Sequence, residues 1–256
     1  MAERIQAPNQ LLYRVANLAL VRPAIRLMGG VTVHYLAEHE PLAGPHLLAP
    51  NHPSGRLDVP IVGSLQLERD SSTMHAIATS SLVTNRFKGW LFKNLGALFI
   101  DKDKRTIDPA VIERTGQIFD KNGVILGFPE GETTYSDSIA RHGSKAPKRS
   151  VVALAINYGV PIQPVGISGT APGDIGNFHV VIGSALEVEQ KPVDLQDTRA
   201  VVSAAKPYMD DLYDGMNDAL QMAHKLRAEY TAEHPIPSNP MARFLINQLS
   251  QKVPAN

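Results

Sequence analysis

Short apolar runs of β-forming residues alternate along this chain with longer stretches whose apolar residues recur at helical spacing. The runs fall at 31–35, 46–49, 74–79, 97–100, 124–128, 162–167 and 178–182. Helical patterning is read over 9–28, 57–67, 85–94, 108–121, 150–158, 196–232 and 240–251. Strands separated by helices of roughly ten to fifteen residues do not close as hairpins; they build a mainly parallel or mixed sheet covered by helices on both faces. The expected fold is therefore α/β: a single domain with a mixed, mainly parallel sheet flanked by helices, plus an N-terminal amphipathic helical segment. Over residues 1–256 the parts are that segment (1–30), a core (45–185) and C-terminal helices (186–256). Pro23 is expected to kink or split the first helix, and Pro207 to interrupt the long one. Asp108 and Pro109 suit a helix start.

In open sheets of this kind, sites form at loops beyond the carboxyl ends of strands. The loops after 46–49, 97–100, 124–128 and 162–167 are the candidates. The first, Ala49-Pro50-Asn51-His52-Pro53-Ser54-Gly55-Arg56-Leu57-Asp58, joins strand to helix and holds a histidine and an aspartate with five residues between them. A histidine can take a proton near neutral pH. An aspartate on its far ring nitrogen can fix the tautomer and stabilise the imidazolium. The loop can thus be a general-base pair aimed at a hydroxyl. The same residues would also suit an aspartate opening a helix beside a solvated histidine. Ser54 is a competing candidate nucleophile.

Lys plus Arg and Asp plus Glu are both 25, so the formal net charge is zero, which argues against nucleic acid as the main partner. There is no cysteine, so disulfides, zinc–thiolate sites and a cysteine nucleophile are excluded. The lack of cysteine also fits a cytoplasmic face. The remaining histidines (34, 39, 46, 75, 142, 179, 224 and 234) show no ligand spacing, and neither metal nor resident cofactor is expected. No apolar run of about 18 residues indicates a transmembrane helix. Arg14, Asn17, Arg22, Pro23 and Arg26 break the N-terminal apolar stretch, which does not read as a signal peptide. That stretch can lie in a membrane interface, apolar side down and arginines beside it, or simply pack on the domain. The stretch 86–149 is rich in Lys and Arg, and 187–218 is mostly acidic. A basic middle can face an anionic ligand or membrane.

Four blocks then line up in order: Asn51-His52 with Asp58; Gly96-Ala97-Leu98-Phe99-Ile100-Asp101-Lys102 with Arg105; Phe128-Pro129-Glu130-Gly131; and Val160-Pro161-Ile162-Gln163-Pro164-Val165. The set resembles the glycerolipid acyltransferase family, typified by 1-acylglycerol-3-phosphate acyltransferases, over about residues 45–170. The resemblance implies an O-acyltransferase acting at a membrane surface, peripherally bound on its cytoplasmic face. His52 would take the proton from a lysophospholipid hydroxyl and Asp58 would orient it. The oxygen would attack the thioester of acyl-CoA or acyl-carrier protein, the co-substrate, with no covalent enzyme intermediate required. Glu130 and Gly131 match the block that helps to hold the acceptor. Glu132 stands where that block usually has Thr, Thr133 where it has Arg, and Lys102 where the second block has Arg. A lysine keeps the charge but loses the bidentate fork. The acceptor's headgroup would then fall to other cations near the blocks: Arg56, Lys102, Arg105, Arg141, Lys145 and Lys148. Arg56, two residues before Asp58, is the natural substitute. Two alternatives keep the fold: a thioesterase-like hydrolase, with water as acceptor, and a non-catalytic lipid-binding protein.

Overall fold

Seven strands form one sheet in the order β1-β7-β6-β2-β5-β3-β4 in the computed structural model, which describes residues 9–36, 42–54, 57–69, 74–101, 107–131, 133 and 149–250. The strands are β1 (Val31–Tyr35), β2 (His46–Pro50), β3 (Met74–Thr79), β4 (Leu98–Ile100), β5 (Val124–Leu126), β6 (Ile162–Ser168) and β7 (Phe178–Ile182). β6, β2, β5, β3 and β4 are mutually parallel, and β6 pairs antiparallel with β7. The sheet is mixed and mainly parallel, as the alternation of runs predicts.

β2 lies at the middle of the sheet and is buried along its whole length, as are β5 and β6. Each side chain follows the strand period of two. Leu47, Ala49 and Ile125 point into one core with Val152, Ile156, Leu212 and Met216. Leu48, Val124 and Leu126 point into the other with Ile25, Ile61, Val165 and Phe178. The first core is covered by α5 (Pro109–Phe119), α6 (Arg149–Tyr158) and α7 (Thr198–Glu233). The second is covered by α2 (Arg22–Leu27), α3 (Asp58–Arg69) and α8 (Pro240–Ser250). The remaining helices are α1 (Gln10–Ala16) and α4 (Arg86–Asn94).

Two prolines were expected to break helices, and they behave differently. Between α1 and α2 the chain makes a π-turn over Asn17–Val21, closed by the Arg22 N–H donating to the Asn17 carbonyl. The extra residue in that turn sits just ahead of Pro23, whose ring cannot donate and crowds the carbonyl four residues back. Pro207 does not interrupt α7, which runs unbroken for 36 residues. Pro207 and Ser203, whose carbonyl loses its partner, both lie on the exposed side. The opposite side, through Val201, Ala205, Met209, Leu212 and Met216, is buried. Packing along that stripe outweighs a local penalty of roughly 3 kcal/mol. α7 can lie close on β6 because Gly166 has no side chain. A methyl there would run into the backbone of Ala219 and Leu220.

Candidate active site

β2, β5 and β6 are neighbours and parallel, so the residues after each emerge at one edge of the sheet. The Asn51 amide closes two of these ends together: Nδ2 donates to the Ile167 carbonyl at 3.0 Å, and the Ile167 N–H donates to Oδ1 at 2.7 Å. That buried pair fixes where the next residue, His52, begins.

His52 is held on every side. Its backbone N–H donates to Glu130 Oε2 at 2.7 Å, and its ring stacks on Phe128 with centroids 3.8 Å apart. Nδ1 lies 2.8 Å from Asp58 Oδ2, and Nε2 lies 3.0 Å from the Thr133 hydroxyl oxygen. Asp58 is an anion acceptor at Nδ1. The pattern therefore assigns the proton to Nδ1 and leaves the Nε2 lone pair facing the hydroxyl.

Asp58 is the first residue of α3, where the helix dipole favours a carboxylate. Its Oδ2 also accepts the Ser54 N–H at 2.8 Å. Its side chain is fully buried, while that of His52 keeps 17% of its surface open. Burial pushes the Asp58 carboxyl up from the ordinary carboxylate range. Against it work the His52 hydrogen bond and charge, the Ser54 N–H and the nearby Thr170 hydroxyl. The Thr170 hydroxyl falls short of a hydrogen bond: Asp58 Oδ1 and Thr170 Oγ1 are both buried without a partner. Ser54 Oγ is buried and accepts the Leu57 N–H at 3.3 Å. It closes the loop instead of pointing outward.

Of the expected site residues, His52, Asp58, Glu130 and Gly131 meet at this edge. Glu130 is buried, and its carboxylate takes the His52 N–H, so it holds the histidine's loop. Gly131 has φ 76, and its N–H turns back to the Phe128 carbonyl at 3.0 Å. The Pro129 carbonyl accepts Tyr213 Oη from α7 at 3.3 Å. Arg56, Lys102, Arg105 and Lys148, with Glu132, Arg141 and Lys145, lie outside the described residues. The block at 160–165 is turn and core strand: Val160, Ile162, Gln163 and Val165 are all buried. In the sequence Thr133 stands only as a departure from the family's pattern. Its place on Nε2 depends on β5 and β2 being neighbours, which no local pattern encodes. Among the described residues, no three His, Asp or Glu side chains gather as a metal site.

The family model described as acyltransferase matches residues 16–168, more than half of the chain. The chain belongs to the acyltransferase family. The matched span takes in every contact of His52 described above and stops at the last residue of β6. No curated protein matches this acyltransferase. Among solved structures it is similar to the 1-acyl-sn-glycerophosphate (LPA) acyltransferase PlsC from Thermotoga maritima. The two are 18% identical, the match covers 78% of this chain and 82% of that one, and the TM-score is 0.47.

Proposed function

We propose that this acyltransferase moves an acyl group from acyl-CoA or acyl-carrier protein to a hydroxyl of a lysophospholipid such as 1-acylglycerol-3-phosphate, with His52 as general base. The observation that carries the reading is the pair of contacts on one imidazole. Nδ1 is on buried Asp58 at 2.8 Å, and Nε2 is on a hydroxyl oxygen at 3.0 Å. A base must reach the proton it removes within a hydrogen bond, and the Thr133 contact supports the reading by placing a hydroxyl oxygen at that distance from Nε2. As the proton arrives, charge appears on the ring beside a carboxylate already in place, so little reorganisation is needed. The four ordered motif blocks, which resemble the glycerolipid acyltransferases, direct the choice of acceptor to lysophospholipids.

The lipid acceptor implies work at a membrane surface, and the N-terminal segment has the chemistry for it. Leu11, Val15 and Leu18 are exposed at helical spacing, with Leu20 beyond them and exposed Arg14 beside them. α2 touches α8, whose Met241 and Phe244 are exposed as well. Exposed apolar residues with flanking cations suit the interface of an anionic bilayer. No helix among the described residues is long and apolar enough to cross a membrane. The enzyme would then sit peripherally, on the cytoplasmic face.

The test is a panel of lysophospholipids offered with palmitoyl-CoA and with palmitoyl-carrier protein, following thiol release. Release that depends on one of the acceptors is expected. His52→Ala, shown to be folded by its melting curve, should abolish it. Release that ignores the acceptor would turn the reading to a hydrolase, and full turnover in His52→Ala would remove His52 from the role.

A further inference from the structure

We propose that α4 and the turn before it form a second membrane contact, in which Trp90 enters the interface of an anionic bilayer and Arg86 and Lys93 meet the lipid phosphates. The inference rests on the membrane reading above and extends it to a part of the chain that reading does not use. α4 is Arg86-Phe87-Lys88-Gly89-Trp90-Leu91-Phe92-Lys93-Asn94, with three cations and no anion. On a chain of zero formal net charge that is a local excess. Positions 86, 90 and 93 are spaced four and then three apart, so they share one face of the helix. All three are exposed, and Trp90 keeps 53% of its surface open.

The other side of the helix is spent on the fold. Leu91 and Phe92 are half-buried, and the Phe92 ring meets Phe99 of β4 edge-on with centroids 6.5 Å apart. Leu82 and Val83, in the turn that follows β3, are exposed. Val83 lies close over Gly89, where a methyl group would come within 2.9 Å of its Cγ1. Turn and helix are therefore one body that shows Leu82, Val83 and Trp90 to the outside, with Arg86 and Lys93 beside them. Large apolar side chains flanked by cations suit the boundary between headgroups and acyl chains. An indole is at home there, with its ring in apolar surroundings and its N–H among polar groups.

The place of this body in the fold favours a lipid surface as its occupant. The Asn9 N–H donates to the Asn94 carbonyl at 2.9 Å, so the end of α4 touches the cap of α1. α1 carries the exposed Leu11, Val15 and Leu18, with Arg14 beside them. The two apolar and basic helices are thus joined end to end. β3 runs parallel to β5, and β5 to β2, so the turn after β3 leaves the sheet at the edge where His52 stands. A bilayer that α4 touches therefore lies beside the edge that carries the base, and a lipid acceptor has a short way to travel.

Trp90 is the one tryptophan in the sequence, so its emission reports on this face alone. The full chain is titrated with vesicles of phosphatidylglycerol and phosphatidylcholine, and binding is followed in parallel by co-sedimentation. A blue shift of the emission on binding is expected, with quenching by phosphatidylcholine brominated in its acyl chains, which acts only near contact. Arg86→Gln with Lys93→Gln, shown to be folded by its melting curve, should weaken binding to these vesicles about 10- to 30-fold. Its transfer to a short-chain, water-soluble lysolipid should stay within about threefold of the wild type. Enzyme that co-sediments while its emission is neither shifted nor quenched overturns α4 as a contact and leaves α1 in that role. Wild-type vesicle binding by the double variant overturns the part given to the two cations. A shift produced by acyl-carrier protein and not by vesicles also overturns the proposal and makes the face a dock for the donor. If the enzyme binds no vesicles at all, the membrane reading itself has failed, and the α4 contact fails with it.

Discussion

The Asn51 side chain and the Ile167 backbone satisfy one another completely, amide against amide, across the edge of the sheet. Both groups are buried, so removing the side chain strands a backbone N–H and a carbonyl away from water. Each such group costs about 1–3 kcal/mol. Asn51→Ala should lower the unfolding free energy by roughly 2–5 kcal/mol, read from urea denaturation. Because His52 follows directly, kcat should fall as well. A variant as stable as the wild type would mean that water replaces the amide.

Asp58 separates activity from stability. Its carboxyl is buried and its pKa is raised by that burial, so the charge is kept at a cost to the fold. Asp58→Asn removes the charge and offers Nδ1 a group that no longer fixes the productive tautomer. Turnover should drop by about 10³- to 10⁴-fold, with a melting temperature equal to or above that of the wild type. A large drop in both would assign Asp58 to the fold and not to the chemistry.

Acid should destabilise the protein through two buried histidines, neither of which contacts His52. Burial lowers His75 from 6.5 to about 4, with the Arg114 charge adding to it and the bond to the Gly96 carbonyl opposing it. His179 is also lowered to about 4, by burial and by the His34 and Arg227 charges. Between those values the unfolded chain binds protons that the native one refuses, so stability rises with pH. The contribution is complete above pH 6.5 and is lost as pH falls towards 4. Asp58 runs the other way, since its raised pKa makes the native state bind the extra proton. Urea midpoints measured from pH 7 down to 4.5 should fall, and His75→Asn should flatten the slope. A slope unchanged in that variant would leave His75 without this role.

The exposed stripe on α1 gives a membrane prediction. Leu11→Asp with Leu18→Asp should sharply reduce co-sedimentation with vesicles containing anionic lipid. Transfer to a short-chain, water-soluble lysolipid should change by less than about threefold, because surface substitutions seldom disturb the core. Undiminished vesicle binding would place the lipid contact elsewhere, with Phe244 on α8 next to be replaced.

Much of the sheet is legible because buried parallel strands are written as short apolar runs with clear ends, and 74–79 and 178–182 match the structure residue for residue. β5 ends earlier than its run. Phe128 leaves the strand for the His52 ring, a partner that the local sequence does not contain. Pro207 misleads for the opposite reason: a local penalty is visible, and the packing of a 36-residue helix against the sheet is not. At the site, His52 and Asp58 can be found together because one loop carries both. Thr133 and the positioning part of Glu130 cannot, because their contacts with His52 span 81 and 78 residues and exist only once β2 and β5 are side by side.

One contact sets the limits of any dissection of this enzyme. Tyr213 holds the carbonyl of Pro129, and Tyr213 lies well beyond the residues by which the family is known. The turn that carries Glu130 is thus moored to a helix from outside the matched span. The recognisable part of the chain is an organ and not an organism. Cut away from α7, it would keep every residue of its motifs and lose the mooring that aims them.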